Sequence, residues 1–546
     1  MNKSKTLILL LFIFTAPLAT AQNNFQDYEL ELGPFYKAPK RSVPIAYVGH
    51  DEYGFYTNYA SGKTGSGSKS LVKFGYDLNI IDWVSLSSKG SGYSTKSESI
   101  LMLDGSIHHF YIRTERKTPP PGQRNGMGMG KKEYPILNKS LYLQKINQKD
   151  MSLDEPILIA NLPKSESAGR NLSVSFSPDS SKVALSYHLP PNEEDLGQLA
   201  LTVFSRNLQI LQSTKLALPF EDKLFTASKF TINNSGDFYI LGKRYFDKKK
   251  ERMKGAVNYN YALLKMDHQS TDLTPFPISS QGKFLSDMQI SIKNSGELIS
   301  AGFYSESGSN MSGGVFYIRF NEETTEVLSE SFKPFDQSFL LQNMTARKAE
   351  KTKGKIDQGK DVELPYFHID EFIVDDDGAT TMIAESRNIY ATSYYVYGPT
   401  GGYWVSQTHY DYDDVMVIRI DISGNITWAE RVPKNQHTIN DRAAFSSYSS
   451  AINDKNIFLI YNDNAKNLNY SGVGRVAPMV KGSSTMVMVS QLDTDGNIKK
   501  TALFNRGEVE TKIRPALCSQ ISKNEVLIFG HGFNLKNQRF IRLKFK

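Results

Sequence analysis

One short pattern is written twice between residues 230 and 305, as FTINNSGDFYILGKRY (230–245) and ISIKNSGELISAGFYS (290–305). An apolar run, an Asn-Ser-Gly turn and a second apolar run make a β-hairpin, because the turn residues tolerate the positive φ that a tight connection needs. Looser copies surround turns near residues 52, 104, 179, 377, 454 and 523, so eight hairpins succeed one another at intervals of roughly 50–80 residues. A second strand–turn–strand follows each first one, as in MVIRIDISGNITWAERV and MVSQLDTDGNIKKTAL. The last copy, QRFIRLKFK, contains only its first strand.

Four-stranded antiparallel units repeated at such spacing predict an all-β fold, a β-propeller of eight four-stranded blades, with seven as the alternative count. A row of β-sandwich domains is the competing arrangement. Tyr (29) and Phe (31) are abundant and 40% of residues are hydrophobic, which suits half-buried sheet. Almost no helical periodicity is visible anywhere. The eighth unit lacks a fourth strand, while DYELELG (27–33) alternates polar and apolar residues. That segment is expected to complete the last sheet and close the ring, leaving no open edge at the join. One propeller domain over 22–546 follows.

FSPDSSKVALSY (176–187) resembles the PD40 repeat of TolB-like and WD40-like propellers, whose core runs F-S-P-D-G-x-x-I/L-A. Ser180 stands where that repeat has glycine, and the match covers one unit in eight. The resemblance implies the propeller fold and interaction roles in the periplasm or at the cell surface. It supplies no catalytic residues. GNITWAERVPKNQ (424–436) is similar to secreted Bacteroidota proteins of unknown function.

Lys3 and Lys5, the apolar run LILLLFIFTAPLA and Ala19-Thr20-Ala21 read as a signal peptide over 1–21, cut after Ala21. Export to the periplasm, the outer membrane or the medium is therefore expected. Gln22 stands where a lipoprotein would need Cys, and no later run is long enough to span a bilayer of about 20 residues. The single Cys518 rules out an intrachain disulfide and reads as buried filler.

In a four-stranded meander the first and third turns share one end of the sheet, and the second turn shares the other with the links between sheets. Here the first and third turns are short. The long excursions at 59–70, 113–137, 190–198, 246–258, 304–313, 388–413 and 462–484 are second turns, and 338–366 is a link. All are expected on one rim, where binding surfaces are commonly built. YASGKTGSGSKS (59–70) is one of them. Its Gly-Lys-Thr mimics a phosphate loop, but Thr57 occupies the place of the first glycine and no helix follows.

The chain carries a formal charge of +7, or +5 once Lys3 and Lys5 are removed. Residues 113–133 hold six Lys/Arg against two Glu, and 243–254 hold seven against two acids. Arg116, Arg124, Arg244, Lys249 and Arg252 are therefore candidate contacts for an anionic polysaccharide, another envelope component or an acidic protein surface. Nucleic acid is not expected as a partner, because no recognition module is present. The sixth unit's excursion, RNIYATSYYVYGPTGGYWVSQTHYDYDD (387–414), brings Tyr394, Tyr395, Tyr397, Tyr403, Trp404, His409 and Tyr410, rings suited to sugar faces or to a protein hot spot. The bland reading of the same stretch is a long twisted hairpin with Gly398–Gly402 at its tip.

No G-x-S-x-G elbow, H-E-x-x-H or Cys/His zinc spacing occurs, so no cofactor or metal is expected. Asp375-Asp376-Asp377-Gly378 and Asp493-Thr494-Asp495-Gly496 occupy turn positions and read as turn chemistry. His108 and His109 are neighbours in a strand and point to opposite faces. His409, beside Asp411, Asp413 and Asp414, is the one His–carboxylate grouping on the long-loop rim. The function expected is an exported binding or interaction module of the bacterial cell envelope. A carbohydrate-active enzyme, hydrolase or lyase, is the alternative on the same rim, and a subunit of an outer-membrane assembly is a third reading.

Overall fold

The computed structural model describes residues 23–546 apart from 25–26, 40–41, 63–66, 91, 118–133, 255, 310, 399–400, 455, 480–484 and 533–535. The expected signal peptide and Arg124 lie outside the described residues.

Eight antiparallel sheets of four to six strands follow one another along the chain. Their first strands are Ser42–Asp51, Tyr93–Leu103, Arg170–Phe176, Phe225–Ile232, Phe284–Ile292, Phe367–Val374, Ser449–Asn453 and Ser519–Ser522. Each first strand from the first sheet to the sixth touches its successor, the seventh touches the eighth, and the eighth touches the first. Between the sixth and seventh, Ser450 Oγ donates to the Glu371 carboxylate. These strands therefore stand innermost about a common axis, the radial plan of a β-propeller.

Apolar clusters fill the spaces between successive sheets. Phe110 and Leu141 of the second sheet meet Leu185 and Phe204 of the third. Phe74 of the first sheet lies 4.9 Å from Phe55 beside it and 4.9 Å from Phe540 of the eighth. Strand Tyr28–Leu32 pairs with Gln538–Phe545 in the register Tyr28↔Phe545 to Leu32↔Ile541. Tyr28 and Leu30 are buried there, against Phe458 of the seventh sheet. Cys518 packs on the same cluster, and burial pushes its thiol up to about 12.

The short turns of neighbouring sheets knit one rim together. Asn234 Oδ1 accepts from the Asp179 amide at 3.1 Å, and Trp428 Nε1 donates to the Thr494 carbonyl at 2.8 Å. Gly236 and Gly296 take φ of 111° and 79°, and Ser180 takes 58° where the PD40 repeat has glycine. Asp377 and Asp493 spend their carboxylates on the amides of their own turns.

Seven first strands carry one extra residue within six positions of their start: Ile45, Glu98, Ser228, Ser286, Asp370 and Ile521, and one between Arg170 and Ser173. A bulge of this kind bends the strand and re-aims its side chains.

Among the described residues helix is sparse, and the longest lies in the 338–366 link. Ala346–Asp357 is a 12-residue α-helix in the link before the sixth sheet, preceded by the short helix Gln337–Leu341. Thr345 caps it by accepting from the Lys348 amide. Ala, Lys and Glu are strong helix formers, but the helix buries none of its residues, so no apolar stripe marks it in the sequence.

Candidate functional site: an aromatic arm and its buried root

In the sixth sheet two neighbouring strands, Thr380–Gly398 and Gly401–Ile420, run far beyond their partners. Their pairing is continuous from Arg387↔Tyr412 to Gly398↔Gly401, so the 388–413 excursion is a two-stranded arm. Tyr, Thr and Val favour the extended backbone, and Gly401 takes φ 127° at the tip. Gln436–Ile439 adds a third strand along His409–Tyr412.

Alternation sorts the predicted residues onto two faces. One face carries Tyr395, Tyr397 and Trp404. The Tyr395 ring lies 4.9 Å from Tyr397 and 5.3 Å from Trp404, edge-on to both. It also lies against Gly402, where a Cβ would come within 2.2 Å of the ring. Tyr410 is on this face nearer the root, paired with Ile389. The other face carries Tyr394, Tyr403 and His409. His409 is stacked on Tyr390 at 4.8 Å, and its Nε2 lies 2.8 Å from Thr392 Oγ1. Its expected carboxylate neighbour, Asp411, is instead bonded to His437 Nδ1 at 2.5 Å. Tyr397 is 86% exposed and Trp404 71%.

The arm is rooted in a sealed polar network. Glu385 Oε1 accepts from Lys434 Nζ at 2.7 Å with both side chains 0% exposed, and Oε2 accepts from Ser447 Oγ at 2.7 Å. Lys434 also reaches Gln436 Oε1 at 3.3 Å, and Gln436 donates to the Asn462 carbonyl of the seventh sheet. Arg387 links this root to the axis by pairing with Asp370, the bulged residue, which also accepts from Tyr448 OH at 3.0 Å. Beside it burial pushes the Glu371 carboxyl up, partly offset by the Ser450 hydroxyl. Asp287 of the fifth sheet faces the same strand and accepts from the Ile369 amide at 2.9 Å and from Tyr261 OH at 3.2 Å, with His368 Nδ1 at 3.2 Å.

The basic candidates are dispersed. Arg116 Nη2 pairs with Glu166 at 2.5 Å, and the Arg244 guanidinium lies 5.2 Å from the Phe220 ring. Lys249 is exposed in the excursion of the fourth sheet, and Arg252 belongs to the ribbon Arg252–Met253 with Ala256–Val257. Among the described residues Asp237, Asp267 and His268 could converge on a cation, but Lys265 Nζ, 3.0 Å from Asp237 Oδ2, already supplies the positive charge there.

Glu385, Lys434, Arg387, Asp370, Glu371, Asp287 and His368 escaped the sequence reading. The signal was there in FHIDEFIV (367–374), where two adjacent carboxylates interrupt an apolar strand that must lie innermost.

Fold and site together define a β-propeller scaffold with an aromatic arm. No protein-family model and no curated protein matches the chain. Among solved structures it is similar to prolyl oligopeptidase B from Galerina marginata, at 7% identity and TM-score 0.36, covering 90% of this chain and 55% of that one. The β-propeller domain of the trilobed protease from Pyrococcus furiosus matches at 8% identity and TM-score 0.32, covering 84% and 96%. The WD40 domain of SCAP from fission yeast matches at 8% and 0.27, covering 84% and 97%. This chain thus spans about half the length of the oligopeptidase.

Proposed function

We propose that the chain is an exported, eight-bladed β-propeller, closed by strand Tyr28–Leu32, that serves as a binding module of a bacterial cell envelope through its long-loop rim. Export rests on the n-region, apolar run and Ala-Thr-Ala site of residues 1–21. Eight sheets, and an apolar cluster that joins the eighth to the first, support the ring.

One observation carries the binding role. From Asn388 to Tyr410 no side chain is formally charged, yet the arm stands in solvent with Tyr397 and Trp404 largely exposed. Large apolar surface held outside the fold marks an interaction site. The Gly402–Tyr395 contact and the buried Glu385–Lys434 root hold the rings in place, which lowers the entropy lost on binding. The ligand is a polysaccharide or protein surface, and Arg116, Arg124, Arg244, Lys249 and Arg252 would add attraction for an anionic one. The test is retention of the purified protein on immobilised envelope, plant and algal glycans and on native outer-membrane extracts. Absence of retention on all of them overturns the reading.

One feature favours the enzymatic alternative. Glu371 has its carboxyl pushed up by burial, while the adjacent Asp370 is held against Arg387. Neighbouring carboxyl groups in contrasting surroundings are how acid and base roles are divided. New reducing ends or unsaturated sugars on incubation with those glycans, abolished by Glu371→Gln, would replace the binding module with a carbohydrate-active enzyme.

A further inference from the structure

The outermost strands of this fold are guarded against pairing with other chains. Asp82, Lys215, Glu330, Glu430 and Lys499 place a charge in five of them, and Leu273–Pro275 is three residues long and ends in proline. Ile157–Asn161 is uncharged but short, and a bulge breaks its pairing between Leu141 and Tyr142. Charges, proline, brevity and bulges are the devices that stop sheet edges from associating.

The free edge of the arm has none of them. Strand Thr380–Gly398 pairs with Phe367–Val374 only as far as Ser386, so among the described residues Asn388–Gly398 has a strand on one side alone. That is roughly 35 Å of open edge at about 3.4 Å per residue. It contains no charge and no proline, and every residue from Asn388 to Tyr395 is exposed. The opposite edge of the arm is covered by Gln436–Ile439, beyond which the Asn440 amide donates to the Thr408 carbonyl and the Thr408 amide to Asn440 Oδ1.

We propose that this edge is the dimerisation surface of the protein and that its partner is the same strand of a second copy, paired antiparallel about a two-fold axis at Ser393. Self-pairing sets every group against its own kind, so a charged edge would repel itself; this segment is neutral in a chain of formal charge +7. With Ser393 on the axis, Ile389 faces Tyr397, Tyr390 faces Val396, Ala391 faces Tyr395 and Thr392 faces Tyr394. Each aromatic ring then lies opposite an aliphatic or β-branched side chain, a pairing that stabilises antiparallel sheet. The two arms merge into one four-stranded sheet, and the contact is isologous and closed, so it stops at two copies. Both faces of the arm stay open, so this inference does not depend on the proposed ligand.

The test is sedimentation velocity of the full chain over a concentration series. The expected result is a monomer–dimer equilibrium that Ser393→Lys weakens at least about tenfold, or ~1.4 kcal/mol, with the melting temperature unchanged because Ser393 is exposed. Under oxidising conditions Ser393→Cys should crosslink two chains, whereas Ala391→Cys, opposite Tyr395, should not. A monomer at every concentration, a dimer indifferent to Ser393→Lys, or equal crosslinking by both cysteine variants overturns the proposal. So does a wild type that stays monomeric and pairs only with a different protein.

Discussion

Lys434 Nζ sits 2.7 Å from Glu385 Oε1, and neither side chain exposes any surface to solvent. Two charges taken out of water gain from each other only while both remain, and one left alone is a heavy burden. Lys434→Met alone should therefore lower stability by about 3–5 kcal/mol, whereas Lys434→Met with Glu385→Gln should recover much of that loss. Urea denaturation of the three proteins measures it. Equal destabilisation by the single and double variants would mean that the pair is not what holds the arm's root.

The strand Tyr28–Leu32 buries Tyr28 and Leu30 between the seventh and eighth sheets. Leu30→Ala should cost about 2–4 kcal/mol, and deleting residues 22–34 should lower the melting temperature by many degrees, at roughly 2 °C per kcal/mol for a chain of this size. Calorimetry decides; an unchanged transition would show that this strand is dispensable.

On the arm, Trp404→Ala should weaken retention on the ligand at least about tenfold, the scale of one aromatic anchor. Gly402→Ala should act in the same direction, because the added methyl collides with the Tyr395 ring and displaces it from Trp404. Retention measured on the same matrix for both variants checks this, and undiminished binding by Trp404→Ala removes the arm from the site.

Asp463 is fully buried, and burial pushes its carboxyl up to about 6 even though Asn467 and the Asn464 amide donate to Oδ1. The folded chain therefore holds this proton over a range, from about 3.9 to 6, in which the unfolded chain has released it. Stability from this group is present in acid, falls as pH rises through that window, and is level above it. Asp463→Asn keeps the hydrogen-bonded oxygen and removes the titration. Its advantage over wild type should thus grow by up to ~3 kcal/mol between pH 4 and 7. Urea midpoints that run parallel for the two proteins across this range would refute the assignment.

The repeat was open to reading because its punctuation is local. Asn-Ser-Gly at 234–236 and 294–296 makes the same turn wherever it falls, and the neighbouring apolar runs can only be strands. Even Ser180, at the turn position that glycine fills in other copies, takes a left-handed backbone. The long hairpin at 388–413, with its glycine tip, was equally visible. What stayed hidden depends on partners far along the chain. Glu385 meets Lys434 and Ser447, and Asp287 meets the Ile369 amide, across separations that no local pattern records. The bulge at Asp370 breaks strand alternation by one residue, which a reading of alternation registers only as noise. Helix Ala346–Asp357 was missed because its lysine-rich turns bury nothing.

The pairing of Tyr28–Leu32 with Gln538–Phe545 has a temporal side. Some five hundred residues of sequence separate the partners, so a chain synthesised from its N-terminus delivers this strand long before its counterpart. Seven sheets can form locally while strand Tyr28–Leu32 waits, its tyrosine and leucines in water, for Gln538–Phe545 to be made. Assembly of the whole is thus gated by strand Gln538–Phe545, and a product truncated before it would be left with an unfinished seam.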